Sequence, residues 1–125
     1  GQIKDQPPEL YLVYPQGNYI RPADSKPYLV IGEVKYGKPI LDRVITPKVS
    51  IGDASRCALI SMDSTLKSDL TVGPPIDFAV IKKDEIKIAS LKCLNMNDPE
   101  FSKVCNQWSQ GIFKIFDSFQ RFDWE

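Results

Sequence analysis

The amino-acid sequence predicts an α+β domain in the order β-β-β-α-α-β-β-α. Three observations carry this. The first third is β-rich and punctuated by proline and glycine, two central segments repeat apolar residues at three- and four-residue steps, and a final segment opened by Asp98-Pro99 does the same.

Glu9-Leu10-Tyr11-Leu12-Val13-Tyr14 is rich in strand formers and stops at Pro15-Gln16-Gly17-Asn18, before Tyr19-Ile20 resumes. There proline fixes φ and glycine supplies a positive φ, so a hairpin is expected. Pro7 and Pro8 confine the segment before it to a turn or a sheet edge, because proline has no N–H to give a central ladder. A third strand is expected over Tyr28–Ile31, ended by Gly32. From Lys35 the spacing turns helical, with Tyr36, Ile40 and Val44 on one side. This predicts a helix from Lys35 to Ile45, with Pro39 admissible only in its first turn.

Ser50-Ile51-Gly52-Asp53 fits a capping box, and the stripe Ile51, Ala54, Ala58, Met62 and Leu66 carries a second helix to Ser68. Its short alanines predict close packing on a neighbour. Thr71 to Pro75 must be loop. Asp77–Lys82 and Glu85–Leu94 are expected to pair, turning at Lys83-Asp84. In the second, Ile86 and Ile88 hold one phase and Ala89, Leu91 and Cys93 the other, a slip that predicts a β-bulge. The last helix takes Asp98 as N-cap and Pro99 at its first position, followed by Phe101, Val104, Cys105, Trp108, Ile112, Ile115, Phe116 and Phe119. Trp108, Phe101, Phe116 and Phe119 are expected to be core, with a partner surface as the alternative.

Composition bounds the function. The 125 residues carry 16 Lys plus Arg against 16 Asp plus Glu, and the basic residues are interleaved with acids instead of lining a stripe. Nucleic acid is therefore not an expected partner. Apolar runs such as Leu10 to Tyr14 fall far short of the ~20 residues of a membrane span, so a soluble chain is expected. At this length the fold should bury roughly 65% of the unfolded surface. Histidine is absent, which excludes His-based triads, Cys-His dyads and imidazole zinc sites. Cys57, Cys93 and Cys105 form no CxxC pair and read as reduced, buried cysteines of a cytosolic protein. The chain begins at Gly1 with neither an initiator methionine nor a signal-peptide pattern, and is expected to be a fragment.

Chemistry-bearing patterns are sparse. Ser64-Thr65-Leu66-Lys67 matches S-x-x-K, in which the lysine takes the serine's proton, but Ser64 lies near a helix end and no Lys-Thr-Gly motif accompanies it. A solvated helix face is the plainer reading. Glu33, Lys35, Lys38, Asp42 and Arg43 read either as an ion-pair network or as another solvated face. Spacing alone yields no catalytic constellation.

Two longer stretches are more specific. Tyr14-Pro-Gln-Gly-Asn-Tyr-Ile20 is followed by Ile31-Gly-Glu-Val-Lys-Tyr-Gly-Lys-Pro-Ile-Leu-Asp-Arg43, and Ser61-Met-Asp-Ser-Thr-Leu-Lys-Ser-Asp-Leu-Thr-Val-Gly73 comes after. Both resemble the C-terminal half of the bacterial proteasome-type proteases known as Anbu, relatives of proteasome β subunits and HslV. The resemblance runs from Gly1 to at least Ile81 and more loosely through the last helix. It implies part of an αββα N-terminal nucleophile hydrolase sandwich, acting on peptides or unfolded protein and assembling as a cytoplasmic homo-oligomer without a cofactor. In that family a threonine, serine or cysteine at the mature N-terminus attacks the peptide carbonyl and its own α-amine is the base. This chemistry needs no histidine, because an α-amine titrates at about 7.7 to 8.0.

The resemblance puts the nucleophile upstream of Gly1 and leaves a supporting layer here. Gly32-Glu33 resembles a Gly-Ser-Gly turn that orients the nucleophile, with glutamate in place of serine. Asp69 to Gly73 resembles an Asp-x-x-Ser-Gly loop that holds the terminal amine. Asp69 and Gly73 match, whereas Val72 replaces the serine. In relatives such a loop's carbonyls hold a cation, which here would mean those of Leu66, Asp69 and Val72. The plain alternative for Asp69 is a helix-end residue bonded to local backbone. For the whole chain it is a noncatalytic assembly domain. Half of a sandwich should also leave apolar surface exposed.

Overall fold

The computed structural model describes residues 1–85 and 87–125. Two small antiparallel sheets and three helices follow in the order β1 (Leu12–Val13), β2 (Tyr19–Ile20), α1 (Lys38–Val44), α2 (Ile51–Ser68), β3 (Ile76–Val80), β4 (Ser90–Leu94) and α3 (Pro99–Asp117). The domain is α+β, as the sequence predicts, but has one strand fewer among the described residues.

The first hairpin forms around the expected turn. Leu12 pairs with Ile20 and Val13 with Tyr19. Gly17 sits at φ +86° and donates its N–H to the Tyr14 carbonyl at 2.9 Å. Tyr28–Ile31, expected as a third strand, joins no sheet among the described residues. β propensity specifies a pleated surface only where a neighbouring strand offers a ladder, and none is present there. Tyr28 instead donates its hydroxyl to Asp42 of α1 at 2.5 Å.

Helix α1 begins at Lys38, not Lys35. Proline explains the difference: a helix starting at Lys35 would need an N–H from residue 39, and Pro39 has none. Helix α2 keeps its expected bounds. Ser50 Oγ accepts the Asp53 N–H at 3.0 Å, while the Asp53 carboxylate accepts the Ser50 hydroxyl at 2.6 Å. Its fully buried residues are Cys57, Asp63 and Thr65; of the expected stripe, Met62 and Leu66 pack against the core, Ala54 is half-buried, and Ile51 and Ala58 are exposed. The helix is covered on two sides, so no single stripe describes it. One side meets α1, where Cys57 Sγ lies 3.9 Å from the Ile40 carbonyl. A close approach falls at Gly37, where a Cβ would meet the Ser61 side chain, Ser61 O at 3.0 Å and Thr65 Oγ1 at 3.1 Å.

Strands β3 and β4 pair over five consecutive positions, from Ile76↔Leu94 to Val80↔Ser90, without a bulge. Ile88 lies before β4, and within the strand Leu94, in the phase of Ile88, is buried while Leu91 and Cys93 of the other phase are exposed, so only one phase faces the core. Ile86 falls outside the described residues. Asp84 turns the chain at φ +64°, and Gln2 closes that turn by donating to Asp84 Oδ1 at 2.7 Å while accepting its N–H at 2.8 Å. The N-terminal segment is thereby tied to this hairpin.

In α3, Asp98 Oδ1 accepts the N–H groups of Glu100 at 3.0 Å and Phe101 at 3.1 Å. Phe101 and Cys105 join Ile76 and Leu94 in the core, with Leu59, Met62, Leu66 and Phe78 packed against it. Only the first half of the aromatic stripe is core. Trp108 is half-buried and Phe116 and Phe119 are exposed, because α3 runs on past the elements that could cover it. Of the cysteines, Cys57 and Cys105 are buried, but Cys93 is exposed on β4.

The chain exposes 10035 Å². A compact monomer of 14.1 kDa would expose about 6,700 Å², so burial reaches roughly half of the unfolded surface instead of the expected 65%. The core is correspondingly small, and large apolar groups such as Leu91 and Phe113 stand in solvent.

Candidate functional site

Packing of α1 against α2 sets the geometry. Gly37, at the head of α1, touches Ser61 and Thr65 near the tail of α2, while Ile40 lies beside Cys57 one turn back. The two helices are therefore antiparallel, so the head of α1 and the tail of α2, which Asp69 follows, lie at one end of the pair, close enough for the Lys35 charge to act on Asp69.

Gly32 adopts φ +78°, which a residue with a side chain would adopt only under strain. Glu33 folds back so that its Oε1 accepts the Lys35 N–H at 2.8 Å, with the Lys35 ammonium 3.9 Å from Oε2. Across the gap, Asp69 ends α2 and donates its N–H to the Thr65 carbonyl at 2.8 Å. Its Oδ1 accepts both the Thr71 N–H at 2.8 Å and the Thr71 hydroxyl at 2.6 Å. These bonds, and more weakly the charge of Lys35, hold the Asp69 carboxyl below the usual aspartate range. Both fall on Oδ1, so Oδ2 has no protein partner among the described residues.

Val72 donates its N–H to the Asp69 carbonyl at 3.2 Å. Of the three carbonyls that could face a cation, that of Asp69 thus has one lone pair already engaged. No group of three or more Cys, Asp or Glu side chains is placed to hold a metal among the described residues. Gly73 lies in open space without a positive φ, so nothing local requires glycine there.

The charge run around α1 splits in two. Glu33 and Lys35 pair locally, whereas Asp42 collects Lys38 at 2.6 Å and the Tyr28 hydroxyl, and its backbone carbonyl accepts from Lys26. Lys38 and Tyr28 hold the Asp42 carboxyl low; Asp42 in turn raises Lys38, and burial followed by Asp42 raises Tyr28. Lys67 pairs with Asp63 at 2.8 Å, not with Ser64, and reaches Ser109 of α3 at 3.5 Å. The S-x-x-K reading has no geometric support, and the helix-face reading fits Lys67, which is exposed, while Ser64 is half-buried and Thr65 between them is buried.

Thr71 and Asp63 were not among the sequence-predicted site residues. The Asp-x-Thr spacing of an Asx turn could have revealed the first, and the i,i+4 pairing with Lys67 the second.

No known family model and no curated protein matches the chain. Solved structures do. It is 41% identical, at TM-score 0.92, to an Anbu (Gly-1) mutant from Hyphomicrobium sp. strain MC1, covering 98% of this chain and 53% of that one. To Anbu (ancestral beta-subunit) from Yersinia bercovieri it is 39% identical at TM-score 0.92, covering 98% and 52%. To a structure described as the helical assembly of the Anbu complex from Pseudomonas aeruginosa it is 41% identical at TM-score 0.89, covering 97% and 50%. The chain spans about half the length of these relatives and, over 97–98% of its own length, is similar to Anbu, or ancestral β-subunit, proteins.

Proposed function

We propose that this chain is the C-terminal part of a proteasome-type peptidase subunit, which hydrolyses peptide bonds through an N-terminal Thr, Ser or Cys nucleophile lying outside these residues. In this reading the terminal α-amine is the base, and Asp69 holds it. One observation carries the proposal: Thr71 holds the Asp69 carboxylate in its charged form through Oδ1 and leaves Oδ2 without a protein partner among the described residues. A cationic amine is the complementary partner for that oxygen. Gly32 and Glu33 shape the facing turn, and Val72 and Gly73 contribute backbone alone. The excess exposed surface fits a body whose other half lies elsewhere in the subunit. The substrates are peptides or unfolded protein, and the subunit assembles with copies of itself in the cytoplasm. It uses no cofactor, nucleic acid or membrane, and among the described residues no helix is long and apolar enough to cross a membrane.

The exposed aromatic half of α3 favours a second reading, a noncatalytic assembly domain. The two separate on one experiment. The full product of the reading frame containing these residues should cleave peptides, and Asp69→Ala should lower kcat/KM by about a hundredfold through misplacement of the amine. Residues 1–125 alone should cleave nothing. Cleavage by the purified short chain, surviving repurification, overturns the proposal, as does a full product lacking a Thr, Ser or Cys nucleophile.

A further inference from the structure

A single carboxylate of α1 ties off a loop at both of its ends. Asp42 Oδ1 accepts the Tyr28 hydroxyl at 2.5 Å and Oδ2 accepts the Lys38 ammonium at 2.6 Å, while the Asp42 backbone carbonyl accepts from Lys26. The Lys38 ammonium also lies 5.9 Å from the centre of the Tyr28 ring, so the two ends meet each other as well as the acid. Between them run residues 29–37, which hold the Gly32-Glu33 turn.

Polar ties are otherwise scarce on the entry side of this loop. Tyr28–Ile31 joins no sheet, and residues 29–32 make no backbone hydrogen bond among the described residues. Gly32, at φ +78°, lacks the side chain that would restrict its backbone to few conformations. The exit side is held differently. Gly37 is pressed on Ser61 and Thr65 of α2, and Lys38 donates its N–H to the Val34 carbonyl at 3.2 Å. The loop therefore leaves α1 at the end of the helix pair that Asp69 follows.

We propose that Asp42 is the clasp of this loop and, by fixing the Gly32-Glu33 turn relative to the tail of α2, a positioning residue for the peptidase site. It rests on the peptidase reading above, and Asp42 acts only through the loop. Lys35 is the link. Its N–H donates to Glu33 Oε1 at 2.8 Å, its ammonium stands 3.9 Å from Glu33 Oε2, and its charge acts on Asp69. Each tie to Asp42 is weak alone, because Lys38 and Asp42 are both partly in water. Both fall on one carboxylate, so loss of Asp42 frees the two ends together.

Tryptic cleavage reads the clasp. Arg21, Lys26 and Lys38 are each followed by proline, which blocks trypsin, so Lys35-Tyr36 is the one cleavable bond between Arg21 and Arg43. In the full product of the reading frame, Asp42→Ala should speed that cut about tenfold and Tyr28→Phe about threefold, since cleavage follows the open population. Adding Tyr28→Phe to Asp42→Ala should bring no further gain, because the two remove one shared bond. In peptide cleavage Asp42→Ala should lower kcat per folded molecule about tenfold and shift KM less than twofold, as a misplaced supporting group does. Tyr28→Phe combined with Lys38→Met breaks the same two bonds and should match Asp42→Ala on both readouts, so it carries the test if Asp42→Ala does not fold. A wild-type rate of cutting at Lys35 overturns the clasp. A faster cut with kcat unchanged, where Asp69→Ala lowers kcat/KM, overturns the positioning role and leaves the peptidase reading standing. If Asp69→Ala also leaves kcat/KM unchanged, or the full product cleaves nothing, both fall.

Discussion

The Asp63 carboxylate, its side chain 3% exposed, accepts the Lys67 ammonium at 2.8 Å one turn along α2, at the seam with α3. The pair is asymmetric, because more than half of the Lys67 side chain remains in water. Loss of the lysine strands a buried charge, whereas loss of the acid leaves a hydrated one. Lys67→Met should therefore lower stability by about 2–3 kcal/mol and Asp63→Asn by about 1 kcal/mol in urea unfolding. The reverse order would show that the pair does not organise the α2–α3 seam.

Gly37 sets the α1–α2 distance. Its φ of −88° suits any residue, so Gly37→Ala tests crowding alone. The added methyl meets Ser61 and Thr65, and a loss of about 1–3 kcal/mol is expected. An alanine variant as stable as wild type in thermal unfolding would show that the helices separate without cost.

The three thiols should differ in reactivity. Burial, followed by the charge of Asp63, pushes Cys105 up to about 11, and burial alone raises Cys57. Cys93 is exposed but is raised by Asp77, its cross-strand partner. In the folded chain iodoacetamide should label Cys93 first, and Asp77→Asn should speed that labelling a few-fold by freeing the thiolate. Equal rates at all three positions, read by mass spectrometry, would contradict this placement.

Asp42 should shape stability at both pH extremes. Its native pKa is depressed by Lys38 and then Tyr28, so its contribution is present above the ordinary value of 3.8 and is lost as pH falls through the lower native value. The raised Tyr28 and Lys38 act oppositely: their contributions are full below 10.0 and 10.5 and fade as pH rises through the native values. Asp42→Asn should flatten both limbs of a urea midpoint profile against pH. A variant retaining both limbs would assign them to other groups.

Local chemistry made much of this protein legible. Ser50 and Asp98 state where α2 and α3 begin, and Gly17 states where the first hairpin turns. The errors share one cause. Tyr28–Ile31 has strand composition and no strand to pair with, and the lower aromatic stripe of α3 has core composition and nothing to lie against. The missing N–H of Pro39, itself legible in the sequence, forbids a helix start at Lys35.

The order of most elements, their caps and their turns follow from the sequence alone, because each depends on backbone hydrogen bonds made within a few residues. Only the tertiary structure decided that α1 and α2 run antiparallel around Gly37, so that Lys35 and Asp69 come near one another, and that Asp63 is buried. Those facts depend on which faces meet across long stretches of chain, and a sequence pattern records an apolar face without recording its partner.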